Sequence, residues 1–434
     1  MYLTLLAVFI VGYLFIALEH TVKIDKAATA LFTGTLCWVV FIFGRDAFLA
    51  NIPGDESIHF VTESLRENLG EISEILFFLL GAMTIVEIID AHEGFSVITD
   101  KITTTNRVKL LWILCLLTFF LSAALDNLTT AIVMSALLRK LIHEKKDLWM
   151  FAGLLIIAAN AGGAWSPIGD VTTIMLWIGG QITAMHIIKE IFLPSLVCLL
   201  VPLAIVSFRF KGHITKITEK HNLESHGFEI SKFEKNLVFA IGIGALLFVP
   251  IFKTITHLPP FMGILLGLSI VWIITEIIHR NKTLEEKKTL AISSVLRRID
   301  TPSILFFLGI LVAVGALQSA GHLADMSRLL DANFDSIYAV NAIIGVLSSI
   351  VDNVPLVAGT MGMYSLDTYP PDSDFWELLA FCAGTGGSIL IIGSAAGVAI
   401  MGILKIDFMW YLKNISFLAI IGYAAGILTF MLVN

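Results

Sequence analysis

Leu125-Asp126-Asn127-Leu128 lies in the middle of an apolar run over residues 108–142, and Val351-Asp352-Asn353-Val354-Pro355 in the middle of a second, 335–366. Each run is too long for one crossing. At 1.5 Å per residue a helix of that length approaches ~50 Å, against a bilayer core of roughly 30 Å. Neither break has the polar connection that joins two full spans in water. The economical reading is a re-entrant helical hairpin in each run, with its Asp-Asn tip inside the membrane.

The rest of the chain agrees with a membrane setting. Of 434 residues 57% are hydrophobic and 15% charged, with a mean hydropathy of +0.88. Soluble domains run near 45–50% apolar and about 25% charged, so a soluble enzyme and a disordered chain are both excluded. Further apolar stretches fall at about 2–18, 27–44, 72–90, 149–178, 185–209, 235–255, 259–279, 302–320, 374–402 and 407–432. The net charge of −7 is spread over short loops and points to no nucleic-acid partner. Cys37, Cys115, Cys198 and Cys382 stand singly inside apolar stretches, which reads as small buried hydrophobes. The start has no basic segment and no A-x-A site, so residues 2–18 are expected to be a first span, not a leader.

Threading ten crossings and two hairpins puts all but five of the 28 Lys and Arg on one face; the five are Arg45, Arg66, Lys189, Lys253 and Arg328. By the positive-inside rule the rich face is cytoplasmic and both termini lie outside. The acidic segment 45–71 is then external and is expected to be a solvated loop, with a surface helix as the alternative. The chain also repeats. Ile75-Leu76-Phe77-Phe78-Leu79 recurs as Ile304-Leu305-Phe306-Phe307-Leu308, Asp126-Asn127 as Asp352-Asn353, and Asn160-Ala161-Gly162-Gly163 as Gly384-Thr385-Gly386-Gly387. The separations are 229, 226 and 224 residues, so order and spacing are kept. The expected architecture is an all-α polytopic membrane protein of two inverted repeats, 1–210 and 235–434, joined by a cytoplasmic linker at 211–234. Each repeat has five crossings, one hairpin (108–142 or 335–366) and one broken helix (149–178 or 374–402). An odd number of crossings inverts the second repeat, and matching broken helices point to a transporter site near the midplane.

Ionisable groups inside a membrane are costly and are functional candidates by default. Asp126 has apolar arms of more than a dozen residues on both sides, with Asn127, Thr129 and Thr130 beside it. Capping alone needs no buried charge, so Asp126 reads as functional. In Asn160-Ala-Gly-Gly-Ala-Trp-Ser166-Pro167-Ile-Gly169-Asp170-Val-Thr172-Thr173 the Gly and Pro residues interrupt the span and free carbonyls. A glycine packing seam explains the glycines but not Asp170. Asn160, Ser166, Asp170, Thr172 and Thr173 offer the oxygens that a hard cation such as Na⁺ prefers. The second half answers with Ser348, Ser349, Asp352 and Asn353 at its tip, and with Thr385, Ser388 and Ser394 in its broken span. Asp352 reads equally as a ligand or as a structural cap or gate. Glu87, Asp90 and His92 lie at an inner span end, mostly as interfacial anchors, with Glu87 and Asp90 deep enough to be relay candidates.

The Leu-Asp-Asn-Leu-Thr-Thr run at 125–130 and the Gly-Gly-Ala-Trp-Ser-Pro-Ile-Gly-Asp-Val-Thr-Thr run at 162–173 resemble the NhaD-type sodium/proton antiporters of the ion transporter superfamily. The resemblance covers nearly the whole chain. It implies inverted repeats in a homodimeric scaffold and exchange of Na⁺ or Li⁺ for H⁺ across a bacterial inner membrane, with no cofactor. It also carries cation-binding roles to Asp126, Asn127, Asn160, Asp170, Thr172 and Thr173, and to Ser348, Asn353 and Ser394. Na⁺ itself is expected at Asp126, Asn127, Asn160 and Asp170. Dicarboxylate carriers of the superfamily resemble the layout but have neutral tips.

Two other readings remain. A carrier of the same fold could take an anion or oxyanion, of dicarboxylate or arsenite type, but anion sites want Arg, Lys or helix N-termini. No Arg or Lys falls in either tip or broken span. Two intramembrane aspartates also suit a protease, yet Leu125-Asp126 and Gly169-Asp170 depart from that pattern, and HExxH and G-x-S-x-G are both absent. The chain is therefore expected not to be an enzyme.

Overall fold

The computed structural model describes residues 2–17, 19–49, 54–99, 101–102, 104–142, 144–214, 230–280, 282–283, 290–333, 336–350 and 352–434. Most of the expected linker therefore lies outside the described residues, as do the first residue of the second hairpin and Val351 at its tip. The described residues are helical, with no β-strand and one isolated bridge between Asn106 and His213.

The main helices in chain order are α1 (Tyr2–Ala17), α2 (Lys26–Phe48), α3 (Gly54–Ala91), α4 (Arg107–Leu125), α5 (Asn127–Leu141), α6 (Lys145–Ala164), α7 (Val171–Ile178), α8 (Ala184–Arg209) and α9 (Lys232–Thr256). They continue as α10 (Pro260–His279), α11 (Thr301–Ser319), α12 (His322–Asn333), α13 (Ile337–Leu347), α14 (Asn353–Met363), α15 (Asp374–Gly386), α16 (Ala395–Leu404), α17 (Phe408–Asn414) and α18 (Ser416–Val433). Among the described residues nine helices are long and apolar enough to cross a membrane, or ten if a bent pair counts as one span. This is a multi-pass membrane protein.

Local chemistry explains the helix ends. Asp25 starts α2 by accepting from the Ala27 N–H at 2.7 Å, and Asn106 starts α4 by accepting from Lys109 at 3.0 Å. Asp300 does the same for α11, where Pro302 sits in the first turn. Pro194 and Pro202 lie inside α8, and Pro250 inside α9, where neighbouring helices in a membrane tolerate the lost hydrogen bond.

Burial falls from the centre outwards. In α6, 89% of the apolar window is buried, and every residue of α15 from Phe375 to Gly386 is buried. For α9 and α10 the figure is 28%, and side chains such as Phe208, Phe43 and Leu432 are largely exposed. That inversion of the soluble pattern suits lipid. The interrupted helices thus form the core. Around them α2 packs on α11, where the Trp38 indole donates to the Val312 carbonyl at 2.8 Å, and α8 packs on α18. All four cysteines are buried and free.

Two segments differ from the sequence reading. The acidic stretch before residue 72 is neither loop nor separate surface helix: α3 runs unbroken for 38 residues, about 57 Å. Its polar part has apolar residues at the i, i+3, i+7 positions Ile58, Val61 and Leu65, a helical spacing that continues the helix beyond the lipid. The run at 407–432 is also not one span. Asp407 caps α17 through the Trp410 N–H at 2.8 Å, α17 turns 117° from α16, and only α18 is long enough to cross.

Candidate functional site

Four helix ends meet at the centre. Residues 165–170 separate α6 from α7, and residues 387–394 separate α15 from α16. The two following helices start alike. Asp170 has φ −148°, ψ 149° and Ser394 φ −144°, ψ 151°, and each side chain accepts from its own helix's first turn. Against these breaks lie the tips between α4 and α5 and between α13 and α14.

Asp170 is the hub. It is 1% exposed. Its Oδ1 accepts from the Thr172 N–H at 2.9 Å, the Thr172 hydroxyl at 2.7 Å and the Asn353 amide at 3.3 Å. Its Oδ2 accepts a short hydrogen bond from the Asn127 amide. The Thr173 hydroxyl closes a capping box by accepting from the Asp170 N–H at 3.3 Å. Among the described residues Asp170 takes part in no ion pair, so neutral donors alone satisfy its charge. A buried carboxylate held that way is a site for a cation.

Asn160 extends the network. Its Oδ1 accepts from the Asn127 amide at 3.2 Å, and its Nδ2 donates to Ser388 Oγ and Ser394 Oγ, both at 2.9 Å. Asp126 sits one residue from this hub but faces elsewhere. Its backbone has φ +87°, a strained value for a residue with a Cβ. Its carboxylate accepts from the Thr129 N–H at 2.7 Å and the Thr129 hydroxyl at 2.8 Å, capping α5. Asp126 also lines a small cavity with Leu79, Ala82, Ile168 and Leu246.

The other candidates divide. Asp170, Asn127, Asn160, Asn353, Ser394, Thr172 and Thr173 come together in one network. Ser166 donates to the Ala123 carbonyl at 2.6 Å, Ser348 to the Ala383 carbonyl at 2.8 Å, and Thr385 to the Phe381 carbonyl at 2.6 Å, so these tie backbone to backbone. Asp352 caps α14 and stands 3.8 Å from the Lys26 ammonium.

Two contributors escaped sequence reasoning. The Ser122 hydroxyl donates to the Ala159 carbonyl at 2.5 Å, pinning the first tip to α6. Ser122 precedes Ser348 by the same 226 residues that separate the two Asp-Asn tips, so the repeat spacing was the signal for it. Lys26, the partner of Asp352, carries no signal, because nothing in the sequence pairs a span-end lysine with a tip 326 residues away.

A cavity of about 410 Å³ adjoins this centre, lined by Asn68, Glu71, Glu74, Gln181, Gln318 and, from α7, Met175. Met175 lies about 7.5 Å along the helix from its Asp170 cap.

A family model described as citrate transporter matches residues 6–376. Sodium/proton antiporter 1 of Arabidopsis thaliana is 49% identical over 424 residues, 98% of this chain and 71% of the relative. Sodium/proton antiporter 2 of the same plant is 47% identical, covering 98% of both. The Na(+)/H(+) antiporter NhaD of Vibrio cholerae is 31% identical over 99% of this chain and 91% of its own. With relatives aligned over nearly all of this chain and the family model matched over residues 6–376, the chain belongs to the NhaD-type sodium/proton antiporters, within the wider group that the citrate-transporter model describes.

Proposed function

We propose that this protein exchanges Na⁺, or Li⁺, for H⁺ by alternating access, with Asp170 and Asp126 binding cation and proton competitively. The observation that carries the reading is the buried Asp170 carboxylate, satisfied only by neutral donors at the meeting of two tips and two broken helices. A carboxylate there holds a proton or a sodium ion but not both well, and that competition is what exchange requires. Na⁺ would replace the Asn127 amide on Asp170. A half-turn of that amide then offers its oxygen, alongside Asn160 Oδ1 and the Thr172 hydroxyl. Glu71 and Glu74 in the adjoining cavity would draw cations towards the site.

The inverted duplication of 1–210 and 235–434 is part of this reading, with a re-entrant hairpin in each and 211–234 as linker. It is supported by paired contacts at the repeat spacing. Ser122 to Ala159 O matches Ser348 to Ala383 O, and the Asp170 cap matches the Ser394 cap. Two rigid units built this way can rock about a central site. A homodimer, both termini outside and a bacterial inner membrane complete the proposal, although plant proteins are among the relatives. An anion cargo is the second reading and lacks support, since no Lys or Arg pairs with Asp170 or Asp126 among the described residues.

The test is fluorescence dequenching in everted vesicles, scanning Na⁺, Li⁺ and K⁺ across pH. Wild type should respond to Na⁺ and Li⁺, and Asp170→Asn should not. Wild-type-like exchange in Asp170→Asn, or no response of the wild type to any of the three, overturns the proposal.

A further inference from the structure

Away from the central network, three side chains from three helices turn their ligand atoms towards one point. His92 follows the end of α3, Glu234 lies in the first turn of α9, and His279 closes α10. They are 0%, 6% and 4% exposed. His92 Nε2 and His279 Nε2 are 2.9 Å apart, and Glu234 Oε1 lies 3.9 Å from the first and 3.6 Å from the second. The two imidazoles are nearly parallel, with centroids 5.0 Å apart.

The tautomer of His92 is decided by its other nitrogen. Nδ1 is 2.7 Å from the Ile88 carbonyl, which can only accept, so Nδ1 carries the proton. In the neutral ring Nε2 then presents a lone pair to the centre of the triangle. A ring nitrogen held by a backbone carbonyl is the usual support behind a metal-ligating histidine. A simple His–His hydrogen bond would need neither the third ligand nor complete burial.

The triangle also has the right size. Tetrahedral Zn²⁺ with bonds of about 2.0–2.1 Å sets its ligand atoms roughly 3.3–3.4 Å apart. The observed edges of 2.9, 3.6 and 3.9 Å bracket that value. A cavity of about 790 Å³, lined by Ser269, Trp272, Glu276 and Arg280, reaches His279 at one corner of the cluster.

We propose that His92, Glu234 and His279 form a binding site for a divalent d-block cation of the Zn²⁺ class, which clamps the end of α3 to α9 and α10. Binding requires the neutral His279 ring to change tautomer, its proton moving from Nε2 to Nδ1 so that Nε2 offers a lone pair, with no net proton released. It also displaces Lys282, whose ammonium lies within hydrogen-bonding distance of Glu234 Oε1 at 2.5 Å. The lysine thus competes for the ligand oxygen. The site is separate from the exchange centre and does not depend on the exchange reading.

Co²⁺ titration of the full-length, chelator-stripped protein in detergent tests this. One equivalent should bind with the strong visible bands of a four-coordinate ion and be displaced by Zn²⁺. His92→Ala and His279→Ala should each weaken binding on the order of 100-fold. Lys282→Gln should tighten it about tenfold, a gain that a purely structural Lys–Glu pair would not give. His186→Ala, in the separate His186–Asp372–Glu377 cluster, should leave it unchanged. Absence of saturable Co²⁺ binding by the wild type overturns the proposal without reference to any variant. So does a signal that His186→Ala removes and His92→Ala spares.

Discussion

The Asn160 amide donates to the Ser394 hydroxyl at 2.9 Å, so the end of one interrupted helix is tied to the start of the other. The same nitrogen reaches Ser388, and the Asn160 oxygen accepts from Asn127. One fully buried side chain of α6 therefore joins the first tip to the second break. Leaving buried partners unsatisfied costs about 1–3 kcal/mol. Asn160→Ala should accordingly lower the melting temperature in detergent and abolish the Na⁺ response in everted vesicles. A variant with wild-type melting and exchange would remove Asn160 from the site.

Asp352 occupies the position equivalent to Asp126 but has a different environment. Its partner is the Lys26 ammonium at 3.8 Å, and the two side chains are 17% and 26% exposed. A pair so placed contributes on the order of 0–1 kcal/mol. Asp352→Asn should then keep Na⁺-dependent exchange within about threefold of wild type, whereas Asp126→Asn should lose it. Equal loss in both variants would make Asp352 a ligand and not an anchor.

The physics of the bilayer explains what was legible in the sequence. Apolar length, the two Asp-Asn tips and the glycine-broken spans are local patterns, and a lipid solvent penalises every departure from them, so they could be read directly. Asp170, Asn127 and Asn160 stood out because polar groups are scarce there. What could not be read is lateral: Lys26 beside Asp352, or Asp126 turned to Thr129 while Asn127 takes the centre. Those depend on how helices rotate against each other, which hydropathy leaves free. The acidic half of α3 was missed for another reason. Low hydropathy marks where the lipid ends, not where a helix does.

Gly162 and Gly386 each allow a close backbone approach in the centre. A Cβ on Gly162 would fall 2.2 Å from the Phe119 carbonyl oxygen, and one on Gly386 2.0 Å from that of Gly345. Both obstacles are backbone and cannot swing aside, so helices must separate. Overpacking of this kind typically costs about 1–3 kcal/mol. Gly162→Ala and Gly386→Ala should each reduce the yield of folded protein, judged by size-exclusion profile and melting temperature. Gly244→Ala, where nothing lies within 4 Å, should match wild type. Similar behaviour of all three would refute a packing role for the two central glycines.

Competition at one carboxylate fixes the sign of the pH dependence. Protonating Asp170 removes the charge that holds Na⁺, so apparent Na⁺ affinity must fall as pH falls. Linkage requires the reverse as well: bound Na⁺ makes the protein release protons. In the acidic limit the half-saturating Na⁺ concentration should rise about tenfold per pH unit if one proton is displaced. It should rise about a hundredfold if Asp126 and Asp170 both take protons before the cation leaves. Measuring the Na⁺ dependence of the wild type at several pH values in everted vesicles separates the two. A half-saturating concentration that stays constant from alkaline to acidic pH would show that cation and proton do not share a site.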